Sequence, residues 1–221
     1  MLKVDHLSLG YDGRDLVRDI SFELVPGECV LLAGPNGTGK TTLLRALAAE
    51  GVVLIPTNIP KVKGFTAEAF VRTGCYRESD WRGRISKEVE GRMEEALKML
   101  GIEELRMRDI STLSDGEFQK ACLASGLTRK AEVLLLDEPT AHLDVENRID
   151  VLRTLREVAR KTGTAVLFSS HDLHDALQVA DRVFVLTRDG RFLASTSADS
   201  SDVEKSKTNV LLVAFPNLPA L

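Results

Sequence analysis

The chain has 221 residues, of which 43% are hydrophobic and 28% are charged, as in an ordinary folded protein with a substantial core. Its formal net charge of -4 argues against a dedicated nucleic-acid surface, so we expect no direct nucleic-acid partner. Its apolar runs are too short to span a bilayer, and its first residues lack the apolar region of a signal peptide. Three widely spaced cysteines fit no metal pattern and favour a reducing compartment. We therefore expect a cytoplasmic chain.

The N-terminal part of the chain predicts strands, then a glycine-rich turn and a helix. Hydrophobic and polar residues alternate in 2–11 and in 20–25, which predicts two strands, and Pro26-Gly27 predicts a turn after the second. The continuous apolar run at 28–34 is typical of a strand that is buried on both faces of a sheet. It leads through the glycine-rich turn into 41–50, a segment of good helix formers.

The middle of the chain, from about residue 64 to residue 130, shows no strand pattern. Helical spacing of apolar residues predicts an amphipathic helix whose buried face is formed by Val89, Met93, Leu97 and Leu100. A second helix is predicted to begin at Ser114, because its hydroxyl and the Glu117 carboxylate have the spacing of a capping box. We therefore expect a helical insertion between parts of a sheet.

The C-terminal part alternates strands with helices. Segment 132–139 predicts a buried strand, 145–163 a helix that ends at a glycine, and 164–171 another strand. Segment 182–195 predicts a hairpin around its Asp-Gly turn. Strands that alternate with helices predict a parallel sheet that is covered on both faces.

The stretch "GPNGTGKT", Gly34 to Thr41, fits the phosphate-loop pattern and lies between a predicted strand and a predicted helix. Its glycines let backbone N–H groups point at phosphate oxygens, and the helix N-terminus adds positive potential. Lys40 would reach the β- and γ-phosphates, and Thr41 would bind Mg²⁺. The nucleotide-binding residues predicted here are Gly34, Pro35, Asn36, Gly37, Thr38, Gly39, Lys40, Thr41 and Thr42.

Two acids follow the apolar run 133–136. Asp137 comes directly after four apolar residues, so it lies at the carboxyl end of a strand, where open α/β sheets bind ligands. We predict that Asp137 holds Mg²⁺ and that Glu138, the next residue, is the general base for an attacking water. An Asp-Glu pair alone is often a solvated strand end, and the phosphate loop is what favours the functional interpretation.

These patterns predict one α/β domain over residues 1–221, with the P-loop NTPase fold. Its core sheet is mainly parallel, with an N-terminal antiparallel β subdomain and a helical subdomain inserted at about 64–130. The C-terminal tail runs from about 197 to 221. The polar stretch 195–207, which leads into this tail, predicts a flexible connection. The apolar end, 208–221, is compatible with one more strand.

Further motifs occur in a familiar order: Tyr11 after the first strand, "LSDGE" at 113–117, "HLD" ending at Asp144, and "VLFSSH" ending at His171. Over roughly residues 2–195 the chain resembles the nucleotide-binding subunit of an ATP-binding-cassette (ABC) transporter. In that family the matching positions are the aromatic that stacks on adenine, the signature sequence, the loop after the Walker B strand and the switch histidine. For Tyr11 the alternative interpretation is a surface tyrosine in a turn. For His171 it is a capping or buried histidine.

The resemblance implies that two copies bind head to tail, with ATP between the phosphate loop of one and the signature helix of the other. It implies that His171 positions the attacking water and the γ-phosphate, with Glu138 as the catalytic base. It also implies membrane permease subunits as partners and a peripheral location on the cytoplasmic face of the cell membrane. The residues that it assigns to ATP across the interface are Ser114, Asp115, Gly116, Glu117 and Asp144.

Three features depart from the family pattern. Asp115 stands where the signature has a glycine, and we expect its side chain to turn outward; a weakened composite site is the alternative. Thr57 follows Pro56 where a glutamine is usual, which puts the coupling of hydrolysis to transport in doubt. The stretch between "RALAAE" and "GVVLIP" is also shorter than the two strands and turn of the family, either through a deletion or through an omitted loop.

Segment 65–86, "FTAEAFVRTGCYRESDWRGRIS", is similar to the corresponding region of importers for iron-siderophores, haem and cobalamin. The expected function is therefore an ATPase that powers such uptake. The alternatives are an ATPase of a lipid or export system, and a weakly hydrolysing regulatory nucleotide-binding module. An ABC ATPase acting on nucleic acid is disfavoured, because the chain holds one cassette and no long coiled-coil insertion.

Overall fold

The computed structural model describes residues 1–11, 14–195 and 203–215. The backbone alone is described for Tyr11, Arg14, Asp15, Val203, Glu204 and Ala214. In chain order the strands are Leu2–Tyr11 (β1), Arg14–Leu24 (β2), Cys29–Ala33 (β3), Val52–Ile55 (β4), Val133–Leu136 (β5), Ala165–Ser169 (β6), Arg182–Leu186 (β7) and Phe192–Ala194 (β8). The α-helices are Lys40–Ala46 (α1), Ala67–Arg72 (α2), Lys87–Met99 (α3), Asp115–Thr128 (α4), Val145–Thr162 (α5), Leu173–Val179 (α6) and Val203–Ala214 (α7).

The main sheet has the order β4-β5-β6-β3-β7-β8. The first five of these strands pair in parallel, and β8 pairs antiparallel with β7. Every residue of β3, β5 and β6 is buried, which is why these segments read as continuous apolar runs. The predicted mainly parallel sheet and the predicted hairpin of 182–195 are therefore confirmed.

A separate antiparallel sheet consists of β1 and β2, as the alternating pattern predicted. It packs on the main sheet through aromatic contacts, with the Phe22 ring centroid 4.8 Å from that of Phe184 and 5.6 Å from that of Phe192. Residues 47–51 connect α1 to β4 by a tight turn, in which the Val52 N–H donates to the Ala49 carbonyl at 3.1 Å. The short connection noted in the sequence is therefore a turn that leads straight into the main sheet.

Between β4 and β5 the chain forms α2, α3 and α4 together with short 3-10 turns. The four apolar residues of the predicted stripe on α3 are all buried. The capping box at the start of α4 is present: the Glu117 N–H donates to Ser114 Oγ at 3.2 Å, and the Ser114 N–H donates to Glu117 Oε2 at 2.8 Å. This capping fixes where the helix begins.

The prediction of a final strand at 208–221 is wrong for the residues described, because Thr208 to Ala214 belong to α7. Leu211 is fully buried, and Val210 and Phe215 pack against the same core. An apolar run of this length fits a strand or a helix face equally well, and contact with the core decides between them. Of the predicted flexible connection, 196–202 lie outside the described residues, and the prediction is wrong for 203–207, which belong to α7. In the part of the chain described, the helices are too short or too polar to cross a membrane.

Candidate functional site

The strands β3, β6 and β5 are neighbours and parallel, so their carboxyl ends meet at one edge of the sheet. The phosphate loop follows β3, Asp137 and Glu138 follow β5, and His171 follows β6 by two residues. This edge is where open α/β sheets bind ligands. The topology therefore brings together side chains that are more than a hundred residues apart in sequence.

Glycine is required at two points of the phosphate loop. Gly34 has φ +154°, and a Cβ there would lie 2.5 Å from the Leu186 carbonyl oxygen. Gly39 has φ +98° and is the residue before α1. The loop therefore takes a path that other residues could follow only with strain, and it delivers the N-terminus of α1 to the sheet edge.

Lys40 is the first residue of α1 and is buried. Its Nζ donates to the carbonyl of Gly34 at 2.7 Å and to that of Pro35 at 3.3 Å. Burial lowers the pKa of Lys40, and the nearby charges of Glu138 and Asp137 oppose that shift. A cation held in a partly dry loop is well suited to an anionic ligand.

Asp137 is held by two hydroxyl groups. Thr41 Oγ1 donates to Asp137 Oδ2 at 2.8 Å, and Ser169 Oγ donates to Asp137 Oδ1 at 2.9 Å. Magnesium is usually held by one or two carboxylates together with substrate phosphates, so the adjacent hydroxyl and carboxylate of Thr41 and Asp137 fit that ion. Ser169 also accepts a hydrogen bond from the Glu138 N–H at 2.8 Å. Ser169 was not predicted, since an apolar strand ending in serine carries no recognisable signal.

Glu138 and His171 lie side by side. His171 Nε2 is 3.1 Å from Glu138 Oε1, and the His171 backbone N–H donates to Glu138 Oε2 at 3.2 Å. The Glu138 side chain is 13% exposed, and burial raises its pKa, against the opposing effects of His171 and Lys40. A carboxylate with a raised pKa beside an imidazole can accept a proton from water.

A pocket of about 320 Å³ collects most of the predicted residues at this edge. Its lining comprises Leu16, Asn36, Gly37, Gly39, Lys40, Thr41, Thr42, Thr57, Asp137, Glu138 and His171. Leu16 was not predicted; it comes from β2 and approaches Gly39, where a Cβ would lie 3.7 Å from Leu16 Cδ1. The Tyr11 side chain, predicted to contact adenine, lies outside the described residues.

The residues that were predicted to contact ATP across a dimer interface do not line this pocket; they are Ser114, Asp115, Gly116, Glu117 and Asp144. Asp115 lines a separate cavity of about 400 Å³, while Gly116 and Glu117 line another of about 320 Å³. Ser114 caps α4, and Asp144 caps α5 by accepting from the Asn147 N–H at 2.8 Å. The predicted residues therefore form two groups that this chain does not bring to one pocket.

The small size of Gly116 has an explanation within the chain. A Cβ there would lie 2.8 Å from Asn147 Oδ1, and Asn147 Nδ2 in turn donates to Asp144 Oδ2 at 2.9 Å. Asn147, which the sequence analysis missed, therefore links the N-termini of α4 and α5. The Asp115 carboxylate is exposed and pairs with Lys61 Nζ at 2.6 Å.

Comparison with known proteins gives relatives that span most of the chain. An aliphatic sulfonates import ATP-binding protein of Streptomyces avermitilis is 37% identical over 190 residues, covering 84% of this chain and 72% of that protein. A petrobactin import ATP-binding protein of Bacillus anthracis is 31% identical and covers 85% and 78%. A zinc import ATP-binding protein of Jannaschia sp. is 34% identical and covers 84% and 79%.

Solved structures show the same fold. A nucleotide-free ATP-binding cassette from an ABC transporter has a TM-score of 0.79 at 18% identity, covering 95% of this chain and 94% of that chain. The cbiO1 protein of Clostridium perfringens, part of an ABC transporter complex, has a TM-score of 0.77 at 23% identity and covers 97% and 95%. The ABC transporter family profile matches residues 17–141. The chain therefore belongs to the ABC transporter family, as an ATPase coupled to transport.

Proposed function

We propose that this chain is the ATP-hydrolysing subunit of an importer, and that it works as a head-to-tail dimer on the cytoplasmic face of a membrane permease. One observation carries the proposal: the pocket of Lys40 and Glu138 is separate from the capped start of α4. Each group is an incomplete site for a triphosphate. In a head-to-tail dimer the start of α4 of one copy would cover the pocket of the other, and both groups would contact one ATP.

The chemistry follows from the residues of the pocket. Lys40 and the loop N–H groups bind the β- and γ-phosphates, and Thr41 and Asp137 hold Mg²⁺. When bound, the ion neutralises the charge that develops on the phosphate oxygens. Glu138 accepts the proton of the attacking water, and His171 holds Glu138 and the γ-phosphate in position. The Ser114 hydroxyl and the N-terminus of α4 supply the attraction from the second copy.

Uptake of an iron chelate, haem or cobalamin is the substrate class that we favour. It is supported by the relative that imports petrobactin and by a relative of Bacillus subtilis named as a probable siderophore transport protein, 30% identical over 218 residues. It is also supported by 65–86, which is similar to the corresponding region of importers for iron-siderophores, haem and cobalamin. Relatives named for zinc and for sulfonates define the competing substrates.

A weakly hydrolysing regulatory module is the second candidate, because Thr57 lines the nucleotide pocket where the family has a glutamine. Threonine has a shorter side chain, so it reaches less far toward Mg²⁺ or water.

The test measures ATP turnover and ATP-dependent dimerisation of the purified chain and of Glu138→Gln. We expect wild type to hydrolyse ATP and Glu138→Gln to lose about 100-fold or more in turnover while accumulating as an ATP-bound dimer. Glu157→Gln, on the exposed part of α5, is the control and should behave as wild type. Binding of ATP without turnover or dimerisation in wild type would favour the regulatory module.

A further inference from the structure

Lys61 joins residues 56–61, the segment after β4, to the start of α4. Lys61 Nζ donates to Asp115 Oδ1 at 2.6 Å and to the Leu113 carbonyl at 2.8 Å, and it lies 5.4 Å from the centroid of the Phe118 ring. The Lys61 side chain is 26% exposed and that of Asp115 is 62% exposed. Three contacts with one helix start hold this lysine more firmly than a single surface ion pair would.

The other end of the same segment reaches the nucleotide pocket. Thr57 lines that pocket and also lines the cavity of about 400 Å³ that contains Lys61 and Asp115. Pro56 and Pro60 each fix one backbone dihedral next to these two residues. A short and restrained stretch of chain therefore connects the phosphate pocket to the first turn of α4.

The charges at the start of α4 explain why a lysine is needed there. An acid in a first helical turn stabilises its own helix, but an unpaired carboxylate would repel a triphosphate that approaches the same helix end. Both acids of this turn have partners: Asp115 pairs with Lys61, and Glu117 Oε1 lies 3.3 Å from Arg108 Nη1. Asp115 lines the cavity of about 400 Å³ that also contains Thr57 and Lys61, whereas Gly116 lines a different cavity.

We propose that Lys61 is a positioning residue for ATP hydrolysis that acts through Asp115. It holds the Asp115 carboxylate toward the segment after β4, offsets its charge, and so leaves the Ser114 hydroxyl and the helix N–H groups to face the nucleotide of the second copy. This inference rests on the proposed function and accounts for the acid in the signature sequence. It makes Asp115 a tolerated variant of that sequence as long as Lys61 is present.

The experiment is a double-mutant cycle with Lys61→Met, Asp115→Asn and the double variant, read out by ATP turnover and ATP-dependent dimerisation at low and high salt. We expect Lys61→Met to lower both about 5-fold at low salt, less at high salt, because salt screens the released carboxylate. Asp115→Asn in the Lys61→Met background should restore both to within about 2-fold of wild type, and Lys61→Arg should retain them.

The matched controls are Lys130→Met and Glu88→Gln, which remove another lysine–carboxylate pair of 2.6 Å. We expect both to stay within about 2-fold of wild type. The proposal is overturned if Lys61→Met equals wild type, or if its loss is unchanged by salt and is not restored by Asp115→Asn. In that second case Lys61 acts only through the Leu113 carbonyl. A wild type that neither binds nor hydrolyses ATP would instead overturn the proposed function, and this inference with it.

Discussion

In the pocket of Lys40 and Glu138, hydrogen bonds of 2.8 and 2.9 Å join Thr41 and the buried Ser169 to Asp137, and the backbone of three adjacent strands fixes where these residues lie. At the start of α4, by contrast, the side chains of Asp115 and Glu117 are 62% and 33% exposed and pair with cations from other segments. Buried, fully bonded polar groups are held rigidly, whereas exposed ion pairs stabilise a conformation weakly. One half of the proposed site is thus organised within the chain, and the other half is adjustable.

Lys40→Met should have the largest effect of the substitutions predicted here, and it acts on the pocket. It removes the buried cation that we propose binds the phosphates, so ATP affinity should fall about 10- to 100-fold. Since the methionine keeps the apolar stem, the melting temperature should change by only about 2–4 °C. Nucleotide titration and thermal unfolding measure the two quantities. Lys161→Met, on the exposed end of α5, is the control, and an equal loss of affinity there would contradict the prediction.

Ser169→Ala tests whether the pocket depends on its internal hydrogen bonds. The serine is fully buried, and its loss leaves Asp137 Oδ1 and the Glu138 N–H without this partner. The free energy of unfolding should fall by about 1–3 kcal/mol, and ATP turnover should fall about 10-fold. Ser170→Ala is the matched control, since among the described residues the Ser170 hydroxyl forms its hydrogen bonds with the backbone of Asp172. Chemical denaturation and steady-state kinetics would show whether the two variants differ.

Gly116→Ala perturbs the other region, where we expect more tolerance. The new methyl group would displace the Asn147 amide, a flexible side-chain end, so the free energy of unfolding should fall by about 0.5 kcal/mol, less than with Ser169→Ala. Gly91→Ala in α3 meets nothing within 4 Å and should instead stabilise the protein by about 0.5–1 kcal/mol. Urea unfolding of both variants checks the difference in sign. A loss with Gly116→Ala as large as that with Ser169→Ala would mean that the start of α4 is as rigid as the pocket.

The smallest effect concerns the pH dependence of stability. Burial raises the pKa of Glu138, so the folded protein disfavours its ionised form relative to the unfolded chain. Glu138→Gln should therefore raise the free energy of unfolding at neutral pH, by less than Ser169→Ala lowers it. This gain should disappear as the pH falls below the ordinary glutamate pKa of 4.5, where both states become protonated. Unfolding midpoints across that range measure the gain, and a gain that grows on acidification would contradict it.

The amino-acid sequence alone was enough to predict the phosphate loop, the Asp-Glu pair after β5 and the capping box of α4, because each depends on residues close together in the chain. It also determined the mainly parallel sheet, through apolar runs that alternate with helical patterns. Its glycines marked the loop correctly, since a positive φ is a local requirement of the backbone.

Other features depend on contacts between distant parts of the folded chain. The end of the chain forms a helix because Leu211 is buried against the core, which its short apolar run could not reveal. Ser169, Asn147 and Lys61 act on partners that are 32, 31 and 54 residues away. Contacts of that kind depend on how strands and helices are brought together, and no local spacing in one sequence records them.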